Sequence, residues 1–311
     1  MIIHGNKQIS GIIYSREASD GGGAVALTNI IRGPQVVFGG LEPDVSSWLR
    51  AATKAAILAA FGQTDGKAVI KATNRYLTQL AASGQAGKDK ATALAGFINQ
   101  HPLDAALYGG LYVQDGLVFQ MDRAYECTAA KWTDFIGGVE FNGTNVQIVD
   151  DVPYFNESAS MASASTVFSN SANSTIEAVF KREKTTICVI LSGGAANDGN
   201  LQLLLNRQGT YHFRNVTQYS AFVDGASTDL LTVSLNADRG YQNKVTLARQ
   251  TNSSADTTVQ SYSMIGSRAA GSSLPFKGYL YGIRIYNRLL TEAEILANQD
   301  IDLKRFTPST P

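Results

Sequence analysis

Four tyrosines lie in or beside segments that are predicted to be loops, and their rings could bind sugars. A sugar ring can stack on a flat aromatic face, while Asn, Asp or Arg side chains hold its hydroxyl groups. The four are Tyr154, Tyr211, Tyr219 and Tyr241. For each of them the alternative is packing in a core or at its rim. They are therefore the candidate glycan-binding residues of this sequence.

Paired carboxylates would indicate glycan cleavage instead. Retaining glycoside hydrolases need two carboxyl groups about 5 Å apart, which on a strand requires acids two or four residues apart. Asp122 and Glu126 have that spacing but leave the predicted strand, and Glu292 and Glu294 lie in a predicted helix that rotates them apart. We therefore predict no catalytic residues and no enzymatic activity, with a glycan-cleaving enzyme as the alternative.

Metal ligands are sparse. Asp150 and Asp151 follow a predicted strand, where carboxylates could bind calcium, although solvated turn residues explain them as well. His4, His101 and His212 are far apart, and none has a second ligand at metal-binding spacing. We predict no cofactor, with calcium at the two aspartates as the alternative.

The charge balance excludes several partners. Lys and Arg number 26, as do Asp and Glu, so no net charge attracts nucleic acid or an anionic membrane surface. No stretch approaches the roughly 20 apolar residues of a membrane span, and the first residues lack the pattern of a signal peptide. These features predict folding in a cytoplasm, where Cys127 and Cys188 stay reduced rather than forming a disulfide.

From about residue 111 the sequence has the residue pattern typical of antiparallel β-structure. About ten short runs alternate apolar and polar residues between turn signals such as Asn142-Gly143. This predicts a mainly β fold with a small α segment, in which a two-sheet antiparallel jelly-roll β-sandwich spans 111–311. In the last strand we expect Tyr279, Tyr281, Ile283 and Ile285 on a buried face and Arg284 on a wet face.

A capped helix is predicted after that strand. Thr291 and Glu294 have the spacing of a capping box, and Ile295 and Leu296 would face the sheet.

The first 110 residues have a different residue pattern, with short β-branched runs followed by helical spacing. Residues 1–42 contain short β-branched runs with an internal repeat, in which 9–13 is echoed by 27–31. So few strands cannot bury a core. They would pack on the helices that follow, or act as an anchor that adds to a partner's sheet. Helical spacing then predicts a connector over 43–110, with helices at about 44–61, 69–83 and 91–100 and a flexible segment at 84–90.

Residues 276–295, FKGYLYGIRIYNRLLTEAEI, resemble the end of a laminin-G-like, concanavalin A-like lectin domain. Residues 116–122, GLVFQMD, and 132–143, WTDFIGGVEFNG, are similar to the opening of the same family. The resemblance implies two packed antiparallel sheets that bind glycans or proteins at one rim, often with calcium. It also implies a structural role for Trp132, which lies in the opening motif.

Residues 1–14, MIIHGNKQISGIIY, and 30–39, IIRGPQVVFG, resemble the leading segment of bacteriophage and prophage structural proteins. That resemblance implies a virion protein assembled in the host cytoplasm, of the head fibre, capsid decoration or tail fibre type. Its partners would be other virion proteins through 1–42, further copies of itself in a homo-oligomer, and host or mucosal glycans. The alternatives are a bacterial surface lectin-like module and a purely structural sandwich that binds no glycan.

Overall fold

The computed structural model divides between Gly110 and Leu111 into two compact units, 1–110 and 111–311. It describes residues 29–32, 35–38, 47–164, 169–170, 173–183, 188–193, 202–206, 210–214, 219–223, 229–236, 238–249, 260–268 and 274–307. The first copy of the repeat, at 9–13, and His4 lie outside the described residues.

The first element that the structure describes in the first unit is a β-hairpin. Strand β1 (Asn29–Arg32) pairs antiparallel with β2 (Gln35–Phe38), and Ile30 lies opposite Val37. The short strands predicted in this part of the segment are confirmed.

Two α-helices and a short 3-10 helix follow. Their bounds are α1 Ala51–Ala81, α2 Gln85–Gln100 and the 3-10 helix Pro102–Leu107. None of the helices in the described part of the chain combines the length and the apolar character that crossing a membrane requires.

The predicted helix bounds are wrong at three places. Helix α1 begins at Ala51, because the chain before it is held by side chains: the backbone N–H of Arg50 donates to Asn99 at 2.9 Å, and that of Trp48 to Asn74 at 2.9 Å. Gly62, with φ of 78°, produces a kink rather than an end. The segment 84–90, expected to be flexible, is helical from Gln85.

The second unit contains two eight-stranded antiparallel sheets, so the predicted mainly β sandwich is confirmed. Sheet 1 comprises β3 Leu117–Asp122, β6 Gln147–Val149, β7 Val152–Phe155, β10 Thr175–Arg182, β15 Leu230–Asn236, β16 Gly240–Gln242, β17 Val245–Thr246 and β20 Gly278–Tyr286. Its order is β17-β16-β15-β10-β20-β7-β6, and β3 also pairs with β20.

Sheet 2 comprises β4 Lys131–Thr133, β5 Glu140–Thr144, β8 Ser160–Ala162, β11 Cys188–Ser192, β12 Gln202–Asn206, β13 Thr210–Arg214, β14 Tyr219–Val223 and β19 Met264–Ile265. Its order is β14-β13-β12-β11-β19-β8-β5-β4. A separate pair joins β9 Ser169–Asn170 to β18 Gln260–Ser261, and helix α3 spans Glu292–Phe306.

The main core lies between the two sheets. From β10 it receives Ile176, Ala178 and Phe180, and Trp132 of sheet 2 is fully buried in it. Such burial stabilises the fold by roughly 1.5–3 kcal/mol for each large apolar side chain. Cys127 is half-buried and Cys188 is buried, and no disulfide joins the two in the structure.

One extra residue in β20 decides which side chains reach this core. Phe180 pairs with Leu280 while the preceding Val179 pairs with Gly282, so Tyr281 is a β-bulge with no partner on β10. A bulge reverses the alternation of side chains on either side of it. Leu280 therefore joins Ile283 and Ile285 in the core. The prediction that Tyr279 and Tyr281 share the face of Ile283 is wrong for this reason.

The outer face of sheet 1 is not the wet face that was expected for Arg284. Helix α3 covers it, and Arg284 is only 2% exposed. The capping box is confirmed: the Thr291 hydroxyl accepts from the Glu294 N–H, and the Thr291 N–H donates to the Glu294 carboxylate at 2.8 Å. Ile295 is buried against the sheet and Leu296 packs beside it, also as predicted.

The cap gives α3 a dependence on pH. Hydrogen bonds from Arg288 and Thr291 lower the pKa of Glu294 from 4.5 to about 2. A lowered carboxyl pKa stabilises the fold above its ordinary value, and this contribution is lost as pH falls from about 4.5 towards 2. We expect Glu294→Gln to lower the free energy of unfolding by about 1 kcal/mol at pH 7. The gap between variant and wild type should narrow as pH falls below about 4.5 and close only below about pH 2.

Thermal unfolding followed by circular dichroism at a series of pH values measures this gap. Glu292→Gln, in the same helical turn and exposed, is the control and should change stability less. A gap for Glu294→Gln that stays constant between pH 7 and 2.5 would contradict the assignment.

Candidate functional site

Three half-buried tyrosines form a group on the outer face of sheet 1, here called the tyrosine cluster: Tyr154, Tyr279 and Tyr281. Tyr154 of β7 lies directly opposite Tyr279 of β20, and their ring centroids are 5.0 Å apart with planes at 55°. The Tyr281 ring lies 5.1 Å from Phe306, the last residue of α3. The cluster thus begins where the covering helix ends.

Charged groups border these rings. The Tyr154 hydroxyl donates to the Glu183 carboxylate at 2.9 Å, and Lys277 lies 3.6 Å from the same carboxylate. The Arg123 guanidinium lies 5.7 Å from the centre of the Tyr281 ring. Exposed Lys181 faces Tyr279 across the β10–β20 pair. The surface therefore presents apolar ring faces beside hydrogen-bond donors and acceptors.

The phenol groups of Tyr154 and Tyr281 are neutral donors at physiological pH. Burial, together with the hydrogen bond to Glu183, raises the pKa of Tyr154. Burial also raises the pKa of Tyr281; the Arg123 charge opposes this rise and the Asp150 carboxylate adds to it. Neutral hydroxyls with nearby carboxylates and a guanidinium suit a ligand that is rich in hydroxyl groups.

Local backbone geometry places these side chains. The bulge at Tyr281 turns Tyr279 outward, away from the core. Gly278 permits close approach of β20 to β10, because a Cβ there would lie 2.1 Å from the Lys181 carbonyl oxygen. The neighbouring β6–β7 hairpin brings Tyr154 alongside.

Asp150 and Asp151 form the turn of that hairpin. Val149 pairs with Val152, and the two aspartates have φ of 50° and 60°, the signs of a type I′ turn. Within the residues that the structure describes, no three His, Cys, Asp or Glu side chains are grouped so as to hold a metal ion. Calcium binding at these two aspartates remains a prediction.

The four tyrosines that were predicted to bind glycans lie in different environments in the structure. Tyr154 belongs to the cluster, whereas Tyr211 is fully buried in the main core and its hydroxyl donates to Gln242 at 2.9 Å. Tyr241, 2% exposed, packs with Tyr286 and Ile295 beneath α3. Neither ring offers a free face, so both are core residues, the alternative that the sequence left open. The side chain of Tyr219 lies outside the described residues.

Tyr279 and Tyr281 were missed by the sequence analysis, which assigned both to a buried face. The run Tyr279-Leu280-Tyr281-Gly282-Ile283 contains a signal of this bulge. Leu280 and Ile283 are large apolar residues three positions apart, so strict alternation would place them on opposite faces of the strand. That misfit is what a bulge produces.

A second polar group lies beneath α3, here called the buried charge cluster: Glu177, Arg284, Asp302, Arg305 and Asp122. Arg284 donates to Glu177 and to both oxygens of Asp302, and Arg305 donates to both oxygens of Asp122 at 2.7 and 2.8 Å. All five are buried.

Neutral side chains complete the buried charge cluster. Asp302 also accepts from Tyr112 and Thr232, and Glu177 also accepts from Ser234 and Asn298. Glu177 thus receives three donors, which favour its charged form although burial raises its pKa.

These buried carboxylates are bound by arginines beneath the helix, so their arrangement fixes α3 on the sheet rather than facing a substrate. Asp122 belongs to the buried charge cluster whereas Glu126 is exposed, so the structure does not bring this spaced pair together as two accessible acids.

No protein-family model matches the chain, and no curated protein matches it. Among solved structures it is similar to domain 4 of AbnA, a GH43 extracellular arabinanase from Geobacillus stearothermophilus in complex with arabinotriose. The identity is 16% over 59% of this chain and 98% of that one, with a TM-score of 0.45.

It is also similar to Trypanosoma rangeli sialidase in complex with sialic acid, at 16% identity over 61% of this chain and 34% of that one, with a TM-score of 0.44. A third similar structure is Ruminococcus gnavus IT-sialidase CBM40 bound to α2,3-sialyllactose, at 19% identity over 41% of this chain and 83% of that one, with a TM-score of 0.33. The chain thus spans about a third of the sialidase. Scores at this level assign neither a ligand nor an activity.

The buried charge cluster predicts unequal effects for two aspartates on one helix. Asp302 is buried between Arg284 and Thr232, whereas Asp300 is exposed and pairs with Lys244 and Lys304. We expect Asp302→Ala to lower the free energy of unfolding by about 3–5 kcal/mol, because it removes one of the two carboxylates that bind the buried Arg284 guanidinium and leaves two of its N–H groups without an acceptor. Asp300→Ala should cost under about 1 kcal/mol.

Urea unfolding of the two variants and the wild type measures both losses. Equal losses would show that the buried pair does not hold the helix.

Proposed function

We propose that residues 111–311 form a non-catalytic glycan-binding domain and that the tyrosine cluster is its binding surface. One observation carries this proposal: Tyr154, Tyr279 and Tyr281 stand together on the outer face of sheet 1 with charged hydrogen-bonding groups at their edges. Aromatic faces would contact the apolar side of a sugar ring, and the bordering groups would bind its hydroxyls.

Contacts within the protein hold the rings of the cluster in position. Two of its rings stand on paired strands, and the hydrogen bond to Glu183 fixes the orientation of Tyr154. A preorganised surface loses little conformational freedom on binding, which raises affinity for a given set of contacts. Tyrosine is also well suited to this role, since only two side-chain torsions need to be held.

The carboxylates beside the cluster favour binding over cleavage. Glu183 borders Tyr154 and is engaged by its hydroxyl and by Lys277, while Asp150 acts on Tyr281 from the tip of a hairpin. A hydrolase needs one carboxyl kept protonated as an acid beside a second that acts as nucleophile or base. Glu183 already accepts a hydrogen bond from Tyr154 and pairs with Lys277, contacts that would have to break before it could act on a substrate.

Removal of either paired ring tests the proposal. We expect Tyr154→Ala and Tyr279→Ala each to weaken glycan binding by about tenfold or more, since a central aromatic contact contributes over 1 kcal/mol. Tyr154→Phe keeps the ring and should keep most of the affinity. Binding would be measured on an array of mucin O-glycans and plant oligosaccharides, and then by calorimetry on the best ligand.

Val245→Ala is the matched control, because Val245 is 65% exposed on β17, at the far edge of sheet 1. Array signals that survive both alanine variants would locate binding elsewhere. Release of reducing sugar from the bound glycan would show that the domain cleaves its ligand and would contradict the proposal that it is non-catalytic.

We further propose that this domain is displayed on a bacteriophage particle as a head fibre, decoration or tail fibre protein. The resemblance of 1–14 and 30–39 to phage structural proteins supports this, with 1–42 as the contact to other virion proteins. Several copies in a homo-oligomer would raise a weak single-site affinity through avidity.

Gene order and particle composition test this display. We expect capsid or tail genes beside this one and its peptides in purified particles. A neighbouring polysaccharide-utilisation cluster would favour the bacterial surface lectin instead.

A further inference from the structure

We infer that Asp122 and Arg305 are positioning residues for the tyrosine cluster, an inference that rests on the proposed function. Their buried ion pair fixes Arg123 and Phe306, two residues that contact Tyr281, and thereby sets the shape of the binding surface. The pair itself is buried between α3 and sheet 1 and is not part of the tyrosine cluster.

The pair joins two distant parts of the chain. Asp122 is the last residue of β3, and Arg305 lies in the last turn of α3. The two terminal nitrogens of the Arg305 guanidinium donate one hydrogen bond to each Asp122 carboxylate oxygen, at 2.7 and 2.8 Å, and the side chains are 2% or less exposed. Two parallel charge-assisted hydrogen bonds fix the angle between the groups as well as their distance.

Each partner is bonded along the chain to a residue that supports the site. Arg123 follows Asp122, its backbone N–H donates to the Tyr281 carbonyl at 3.0 Å, and its guanidinium lies 5.3 Å from the Phe306 ring centre. Phe306 follows Arg305, whose guanidinium lies 4.4 Å from that ring. Any shift of the ion pair is therefore passed directly to both neighbours of Tyr281.

The rest of α3 is held by other contacts. Its N-terminus is capped by Thr291 and Glu294, and its middle is held by Asn298 on Glu177 and by Asp302 on Arg284. Loosening the Asp122–Arg305 pair should therefore move the last helical turn and leave the helix docked. An effect of the pair on the binding surface can therefore be distinguished from general unfolding of the domain.

The two buried arginines provide a matched test. Lysine keeps the positive charge but cannot form two parallel bonds to a carboxylate. We expect Arg305→Lys to weaken glycan binding by about fivefold to tenfold, because a binding surface tolerates little displacement of its supports. Arg284→Lys disturbs the same buried charge cluster away from Arg123 and Phe306, so its affinity should stay within about twofold of wild type.

Calorimetry with the glycan that the wild type binds most tightly measures the affinities, well below the melting temperature of each variant. Thermal unfolding of both variants shows whether their stabilities fall alike. Weaker binding by Arg305→Lys alone supports the inference. Unchanged binding by Arg305→Lys, or an equal loss in both variants, overturns it and leaves the proposed function standing if Tyr154→Ala still weakens binding by about tenfold or more. A wild-type protein that binds no glycan refutes the proposed function and the inference together.

Discussion

The bulge at Tyr281 is the constraint on which the organisation of sheet 1 depends. Strand β20 lies at its centre, paired with β10 on one side and with β3 and β7 on the other. With regular alternation, Leu280 and Ile283 could not both reach the core. The extra residue brings both inward and leaves Tyr279 facing out, so one irregularity serves the core and the surface together.

The buried charge cluster acts on the same outer face by a different means. Removing charges from water is costly, and a paired arrangement offsets that cost only when almost every hydrogen-bonding group is satisfied. Here Arg284, Asp302 and Glu177 are each bonded to two or more partners from the sheet and the helix. An apolar interface would tolerate sliding of α3 along the sheet. Fixed hydrogen-bond partners favour one position for the middle of the helix on the sheet.

Sequence patterns predicted those parts of the fold that depend on local chemistry. The capping box at Thr291, the hairpins and the sandwich class follow from residue types and short spacings. The position of Arg284 was not predictable in this way, because its burial depends on a helix that binds it through Asp302, eighteen residues later. Helix α1 likewise starts late because Asn74 and Asn99, distant in sequence, hold the chain before it.

The candidate site was predicted only in part for a related reason. Tyr154 was identified from its place near a turn, but its partners stand on β20, where the assumption of strict alternation directed them inward. Tyr211 and Tyr241 show the opposite error, since proximity to loops in the sequence does not report what packs over a ring.

The outer face of sheet 1 therefore has two halves with different physical roles. Under α3 the face is closed, and its charges are satisfied within the protein. Beyond Phe306 the helix has ended, and the tyrosines that continue the same face remain half-exposed. A binding surface at such a boundary gains rigidity from the closed half without being covered by it. The Asp122–Arg305 pair lies at that boundary. It holds the end of α3 on the closed half and thereby positions Arg123 and Phe306 beside the tyrosines of the open half.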